Sequence, residues 1–428
     1  MFKHFVQKRL ELYIKAYFKK HPEIKLIGVT GSVGKTSTKI AIATVLSERF
    51  RVRLHDGNYN THLSAPLAVL GIEYPKNIRS ISAWLAVFSA AKERVKAPSD
   101  VDVIVQELGS DRIGQVKHFG TYLHPDIGVI SAVSPEHMEF FQTVDNVAKE
   151  ELGVVNFSKI ALINRDDISG EYAKYLTNAA VNTYGTSSVS EYHFISNNYS
   201  IEKGHEGLFY APEWQNPIPA TINVLGEHTL RPAIAAGAVA IKMGMTSDEI
   251  ARGLAKIQAI PGRMNVLRGI KNSIIIDDSY NSSPLAAACS LRELYLLLAP
   301  QHIAVLGDMN ELGDSSQAEH GALGTLCDPE HLDWVVTVGD QAEKFLAPAA
   351  KLRGCQVRSF KDAISAGAFV RSVLDNDAAL LFKGSEGGVF LEEAIKVVLH
   401  SSSDELKLVR QSPEWIARKN AFFSKNTQ

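Results

Sequence analysis

The chain has 428 residues, 45 Lys plus Arg against 47 Asp plus Glu, and a formal net charge of -2. With 45% hydrophobic and 21% charged residues the composition is that of a globular protein, long enough for two or three domains with real cores. That balance excludes a nucleic-acid binder working through an overall cationic field, and the scattered Cys289, Cys327 and Cys355 exclude a disulfide framework or a zinc ribbon. The longest apolar run, Ser82 to Ala91, falls well short of the roughly 18 residues a membrane span requires. Lys15, Lys19 and Lys20 interrupt any signal-peptide core, so the expected location is cytoplasmic.

In chain order, the first element is a helix distinct in character from the rest of the chain. Phe2, Phe5, Val6, Leu10, Tyr13, Ile14 and Tyr17 recur at three- and four-residue spacing and form one apolar stripe. The other face carries Lys3, Lys8, Arg9, Lys15 and Lys19, with Glu11 the main acid. Such a basic amphipathic helix suits an anionic membrane surface through residues 1–20, or docks its stripe onto the adjacent domain. Short β-branched runs then alternate with helical patterns: Lys25–Val29, Val101–Gln106, Ile127–Ser131 and Ile160–Asn164, and later Ser273–Asp277, His302–Leu306, Trp334–Val338 and Ala378–Phe382. This is the pattern of parallel sheets covered on both faces, whose ligands sit beyond the carboxyl ends of the strands.

Between about Thr186 and Leu225 the chain becomes polar with turn signals, as antiparallel strands are, and Leu230 to Met243 is an Ala-rich helix. Pro261 and Gly262 mark a hinge. The expected fold class is α/β, a phosphate-loop domain with a mostly parallel sheet followed by a smaller Rossmann-like domain. The boundaries are an N-terminal helix at 1–22, the nucleotide domain at 23–261 and the C-terminal domain at 262–428. The tail carries Trp415, Phe422 and Phe423 with no legible role.

Chemistry concentrates after the first strand. The run Gly28-Val-Thr-Gly31-Ser32-Val33-Gly34-Lys35-Thr36-Ser37 leads into a helix expected over Thr38–Phe50. Strand, Gly-rich turn and helix N-terminus make an anion cradle in which backbone N–H groups converge on phosphate. Lys35 is the side chain to reach the β- and γ-phosphates, and the Thr36 hydroxyl the one to ligate Mg²⁺. Val29 stands where the strict pattern has its first Gly, with Gly31 only three residues before Gly34, so the loop is a variant. ATP is the expected nucleotide, since no guanine-reading Asn-Lys-x-Asp stands in a suitable place.

Glu107 closes one strand and His137 comes after another, so both are expected at the sheet edge that bears the loop. A carboxylate and an imidazole there suit Mg²⁺, although a helix cap and a satisfied loop histidine are the ordinary roles. Asn58-Tyr-Asn60-Thr is a polar loop, and Arg263 puts a cation at the hinge suited to a γ-phosphate. Asp277-Asp278-Ser-Tyr-Asn281, Leu306-Gly-Asp-Met-Asn-Glu311-Leu-Gly and Lys383-Gly-Ser close later strands, where Asp binds ribose hydroxyls or caps a helix.

The ordered set Thr-Gly-Ser-Val-Gly-Lys-Thr, Asn-Tyr-Asn-Thr, Glu-Leu-Gly, Glu-His-Met-Glu-Phe-Phe, Pro-Gly-Arg, Asp-Asp-Ser-Tyr-Asn and Leu-Gly-Asp-Met-Asn-Glu-Leu-Gly resembles the Mur ligases, from about Lys25 to about Val397. Within that family the motifs look like the MurF branch, which joins D-alanyl-D-alanine to a UDP-muramoyl tripeptide. The resemblance implies an ATP-dependent carboxylate–amine ligase working through an acyl phosphate, with a carboxylate-bearing cell-wall precursor and an amino acid or dipeptide amine as partners. It implies Thr36, Glu107 and His137 as magnesium ligands, the loop 31–37 with Arg263, Asp278 and Asn281 as nucleotide contacts, and Lys35, His137 and Arg263 as the catalytic set. Closure of the C-terminal domain around ATP would run through Arg263.

Four departures qualify this. The phosphate loop begins at Gly28, so the domain with which this branch grips UDP is expected to be absent, and a lipid-linked or otherwise activated carboxylate becomes a candidate. Glu151 takes the place of the family's carbamylated lysine, as a shorter carboxylate for a second Mg²⁺ or as a solvated helix-face acid. The family's Gly-x-His-Asn-x-x-Asn reads Gly226-Glu-His228-Thr229-Leu-Arg-Pro232, without either asparagine. Lys-Gly-Ser-Arg reads Lys383-Gly-Ser-Glu386, a charge reversal that suggests an altered amine. Poly-γ-glutamate and folylpolyglutamate synthases, and a non-catalytic ATP-binding partner, are the alternatives.

Overall fold

The computed structural model describes residues 2–55, 57, 59–201 and 203–426. Asn58 of the polar loop lies outside the described residues. The chain forms two compact units: one of residues 1–134, 140–223 and 227–257, the other of 135–139, 224–226 and 258–428. A sequence boundary at Pro261 puts 135–139 in the nucleotide domain. In the structure this segment joins the second unit, where Met138 N donates to Glu311 O at 3.1 Å.

The first unit opens with α1 (Phe2–Lys20), whose Val6, Leu10, Ile14 and Tyr17 are buried. Val6 and Leu10 pack with Leu67, Trp84 and Val87, so the stripe docks onto its own unit. Phe2 and Phe5, which the spacing assigns to the same stripe, stay exposed. The sheet has nine strands: β1 (Lys25–Thr30), β2 (Val52–Leu54), β3 (Val103–Glu107), β4 (Ile127–Ile130), β5 (Ile160–Asn164), β6 (Val181–Gly185), β7 (Tyr192–Ser200), β8 (Gly204–Tyr210) and β9 (Ile218–Ile222). Their order is β2-β3-β1-β4-β5-β6-β7-β8-β9. It is parallel through β7, and β7, β8 and β9 then pair antiparallel, as the polar stretch predicts.

β1, β3 and β4 are buried at nearly every position, because helices cover the sheet. α2 (Lys35–Leu46) starts three residues earlier than the expected Thr38 and ends before Phe50. Gly34, at φ 85°, turns the chain into it in a conformation that favours glycine. The Ala-rich helix Leu230–Lys242 is buried on almost all sides, and small residues let it lie close to its neighbours. Gly253 of the helix Ser247–Ala255 marks another close approach: a Cβ there would sit 2.9 Å from Val45 Cα.

The second unit holds a six-stranded sheet of β10 (Asn265–Arg268), β11 (Ile274–Asp278), β12 (His302–Gly307), β13 (Trp334–Val338), β14 (Val357–Phe360) and β15 (Ala379–Lys383). The order is β10-β11-β15-β12-β13-β14, parallel except for β10. β2, β6, β10 and β14 carry no strand signal in the sequence. They are short or polar (β2 and β14 include Arg53 and Arg358), and three of them lie at sheet edges where continuous apolar character is not needed.

The tail has a structural role here. Arg410 grips Glu392 through Nε at 2.8 Å and Nη2 at 2.7 Å, and donates to the carbonyls of Tyr280 at 2.9 Å and Ser279 at 2.7 Å. Phe390 meets Trp415, Phe422 and Phe423 in edge-on ring contacts, which accounts for the aromatic tail.

Docking of α1 has a measurable consequence. Leu10→Ala is expected to lower stability by about 2–5 kcal/mol, the cost of a core cavity. Denaturant unfolding checks this, and a helix held apart from the core would show no change.

Candidate active site

The phosphate loop sits at the carboxyl end of β1, flanked by the ends of β3 and β4, where a parallel sheet exposes its loops. Gly31 has φ 129°, and a Cβ there would lie 2.8 Å from Ala132 N, so only glycine fits. Ser32 N donates to Ala132 O at 3.0 Å, and the Ser32 and Ser134 hydroxyls pair at 2.9 Å. Ser131 Oγ lies 2.6 Å from Val33 O and 3.1 Å from Thr30 O. Lys35 Nζ bends back onto its own loop, donating to Gly31 O at 2.5 Å and Ser32 O at 3.4 Å. Thr36 and Ser37 stand in the first turn of α2, at the positive end of its dipole.

Glu107 is the centre of the arrangement, and it is only 3% exposed. Its Oε2 accepts from Thr36 Oγ1 at 3.2 Å and lies 3.4 Å from Lys39 Nζ, while its Oε1 accepts from Asn60 Nδ2 at 3.0 Å. Lys39 also donates to Gly57 O at 3.0 Å. Sequence reasoning misses Lys39; its signal is a charge one helical turn after Lys35 in an otherwise apolar helix. The Asn60 loop is held in turn by Gln106, whose Nε2 donates to Tyr59 O at 2.7 Å, and by Gly109 N, which donates to Asn60 O at 2.9 Å.

Glu151 lies beneath the loop rather than on a solvated helix face, and it is 0% exposed. Its Oε2 accepts from Gly31 N at 2.7 Å and contacts the Thr30 hydroxyl. This carboxylate therefore holds the turn in which the anion cradle begins. The neighbouring Glu150 takes another buried task, accepting from Gly114 N at 2.7 Å and Val116 N at 2.6 Å.

His137 belongs to the second unit. Its Nδ1 lies 2.9 Å from Glu311 Oε2, and both residues have positive φ, 47° and 63°. A non-glycine residue held there is over-determined by its surroundings, as functional loops often are. His320, which sequence reasoning passes over, accepts from Met309 N at 2.9 Å and so orders the same Leu-Gly-Asp-Met turn.

In the second unit, Gly262 N donates to Asp277 Oδ2 at 3.0 Å and Met264 N to Asp278 Oδ1 at 3.3 Å. Burial pushes the Asp277 carboxyl up to about 6, with the Asp278 charge adding to it and bonds from Ser279 and Gly262 opposing. Asp278 is not an open nucleotide acceptor: Lys383 Nζ lies 2.7 Å and Ser290 Oγ 2.5 Å from its Oδ2. Asn281 Oδ1 accepts from Ser282 N at 2.9 Å. Arg263 stacks over the Tyr280 ring at 4.2 Å, and its buried Nε has no hydrogen-bond partner among the described residues. Arg231, between the Thr229 and Pro232 that replace the family's asparagines, lies 3.3 Å from Asp166 and 3.0 Å from Asp167 in the first unit.

Magnesium prefers oxygen ligands and accepts one or two from protein when phosphates and water supply the rest. The Thr36 hydroxyl and Glu107 carboxylate beside the loop fit that demand. Among the described residues no group of three His, Cys, Asp or Glu is arranged to hold a metal by itself.

Comparison with known proteins decides the family. The Mur ligase middle-domain model matches residues 29–240 and the Mur ligase glutamate-ligase-domain model matches 262–386. The chain belongs to the Mur ligase family. It is 28% identical over 394 residues to a UDP-N-acetylmuramoyl-tripeptide--D-alanyl-D-alanine ligase of Bacillus subtilis, covering 88% of this chain and 76% of that one. The fold is that of MurF from Thermotoga maritima, solved with ADP, at TM-score 0.71 and 22% identity over 96% of this chain and 84% of that one. MurF from Acinetobacter baumannii matches at TM-score 0.71 and 24% identity, over 88% and 77%. Among the described residues no helix is long and apolar enough to cross a membrane.

The role of Glu151 in this Mur ligase can be measured. Glu151→Ala is expected to cost about 2–3 kcal/mol in denaturant unfolding, because it strips a buried charged acceptor from Gly31 N and Thr30. A solvated helix-face acid would give a change within about 0.5 kcal/mol.

Proposed function

We propose that this chain is an ATP-dependent ligase of MurF type, joining D-alanyl-D-alanine to the carboxylate of a muramoyl-peptide precursor with release of ADP and phosphate. The observation that carries this is the buried Glu107 cluster of Thr36, Lys39 and Asn60 beside the phosphate loop, in a chain whose relatives bear that name. The 28% identity to a muramoyl-tripeptide ligase favours this reading over a poly-γ-glutamate or folylpolyglutamate role, for which the likeness to a folylpolyglutamate synthase at 15% identity speaks for the fold alone.

In this proposal the substrate carboxylate attacks the γ-phosphorus of ATP, ADP leaves, and the amine displaces phosphate from the acyl phosphate through a tetrahedral intermediate. Such a transfer depends on positioning and charge neutralisation more than on covalent help from the protein. The α2 N-terminus and residues 31–37 bind the phosphates, and Lys35 turns from its loop carbonyls to the β- and γ-oxygens. Thr36 and Glu107 would hold Mg²⁺, which supplies neutralisation of the phosphate charge. Lys39 and Asn60 keep Glu107 oriented. Glu151 acts by fixing Gly31, and His137 has its magnesium assignment from the family resemblance alone, imidazole being a less usual ligand for so hard a cation.

Arg263 is assigned to the transferring phosphoryl group. Its stacking on Tyr280 fixes the guanidinium plane, and a donor with no partner among the described residues suits an anionic ligand. Asp278 and Lys383 position the Tyr280–Asn281 turn, so nucleotide contact there falls to Asn281.

Phosphate release with ATP and Mg²⁺, UDP-MurNAc-tripeptide and D-Ala-D-Ala tests this, with mass spectrometry of the product. The expected result is an amide product and phosphate release that depends on the amine. Lys35→Ala and Arg263→Ala each lower turnover by about a hundredfold or more. Amine-independent phosphate release, or turnover indifferent to Lys35, would contradict the proposal.

A further inference from the structure

Single exposed apolar side chains are ordinary on a protein surface. Here several gather on two helices that pack together in the first unit. On α1, Phe5 is 60% and Leu12 58% exposed, with Phe2 beside them. On the helix Ile81–Lys96 and its lead-in, Ile81 is 65%, Leu85 60% and Ile78 58% exposed.

The two sets are joined. Phe88 meets the rings of both Phe5, at 6.4 Å between centroids, and Tyr13, at 6.3 Å. At the other end Lys20 Nζ donates to Lys96 O at 2.9 Å. The contacts run in the same chain order on both helices, Phe5 and Tyr13 on Phe88 and then Lys20 on Lys96, so the helices are parallel and Phe2 lies toward the end that bears Ile81. Trp84 Nε1 donates to Ile78 O at 2.9 Å and keeps the lead-in against that end. Phe5 and Leu12 are seven residues apart and share a helix face, as do Ile81 and Leu85, four apart. Neither face is needed for the core, which Val6, Leu10, Trp84 and Val87 already fill.

The charge around these residues is mostly of one sign. α1 carries Lys3, Lys8, Arg9, Lys15, Lys19 and Lys20, and the second helix with its approach carries Lys76, Arg79, Lys92 and Lys96. Against them stand Glu93 and Glu11, and Glu11 is already engaged, 2.7 Å from His118 and bonded to Gln7. A chain with a net charge of -2 has thus concentrated cations around its exposed aromatic and aliphatic side chains.

We infer that the outward face of these two helices is a docking surface for an anionic lipid bilayer. Apolar side chains enter the interfacial region while lysines, whose long stems reach to the headgroup phosphates, surround them. A protein-binding patch of this kind would be poor in lysine, which protein interfaces exclude from their centres. The inference goes beyond the ligase proposal, and vesicle binding is read without turnover, so either can fail alone.

Flotation of the full chain with phosphatidylglycerol–phosphatidylcholine vesicles, against phosphatidylcholine alone, tests it. The expected result is binding to the anionic vesicles that weakens at high salt. Phe5→Ser with Leu85→Ser, and separately Lys8→Glu with Lys92→Glu, should each lower the partition coefficient by about tenfold or more. All four residues are exposed, so the ligase rate with soluble substrates should not move, and stability should fall by no more than the small contribution of the lost Phe5–Phe88 ring contact. Absence of flotation, or flotation indifferent to either pair of substitutions, would overturn the inference. So would a dimer in sedimentation velocity that Phe5→Ser with Leu85→Ser abolishes, because the surface would then belong to a second copy.

Discussion

A carboxylate taken out of water must be compensated, and the first unit is organised around that constraint at Glu107. Its position as the last residue of β3 places it beside the phosphate loop, and both oxygens are engaged: one by Asn60, the other by Thr36 and Lys39. Removing one partner from such a cluster leaves a buried charge exposed to its full desolvation cost. The same cluster ties three segments together, α2, the Asn60 loop and β3. Glu151 repeats the device beneath the loop, engaging a backbone N–H and a hydroxyl. Two buried acids thus set the geometry of the Gly-rich loop, one below the turn and one beside it.

The second unit uses comparable means around Pro261–Met264. Asp277 and Asp278, adjacent at the end of β11, divide their work: one holds Gly262, the other Met264, and Arg263 lies between those two backbone anchors. Arg410 then fixes the next turn from the far end of the chain, through the carbonyls of Ser279 and Tyr280. Because Tyr280 supplies the ring on which Arg263 stacks, the tail and the Asp277–Asp278 pair act on one guanidinium. A protonated Asp277 and an ionised one differ in how well they accept from Gly262 and Ser279. With its pKa raised by burial, this group favours the folded state most at low pH, and that advantage is lost as pH rises toward and past about 6.

Much of this is legible in the sequence because buried parallel strands are written as continuous apolar runs, and a Gly-rich turn before a Lys-Thr pair has few other uses. The strands with such runs appear within a residue or two of their expected ends. Edge strands such as β2 and β14 do not announce themselves, since one exposed side removes the apolar signal. His320 and Arg410 are also silent. Each acts together with groups distant in sequence, and nothing local to it marks a buried charge or imidazole as satisfied. Glu151 is visible as a departure from the family pattern, but whether it faces water or the loop depends on how the helix Val144–Glu151 packs. Asp278 shows the reverse difficulty: a strand-end acid that looks ready for a ligand is already taken by Lys383 and Ser290.

The central claim is that the Glu107-centred phosphate loop serves phosphoryl transfer to a carboxylate. Isotope transfer tests it most directly. A muramoyl-tripeptide substrate labelled with oxygen-18 in its terminal carboxylate is turned over with ATP and D-Ala-D-Ala, and the released phosphate is weighed. The account predicts one labelled oxygen in each phosphate, carried over from the acyl phosphate. Unlabelled phosphate would mean that water, not the carboxylate, receives the phosphoryl group, and would contradict it.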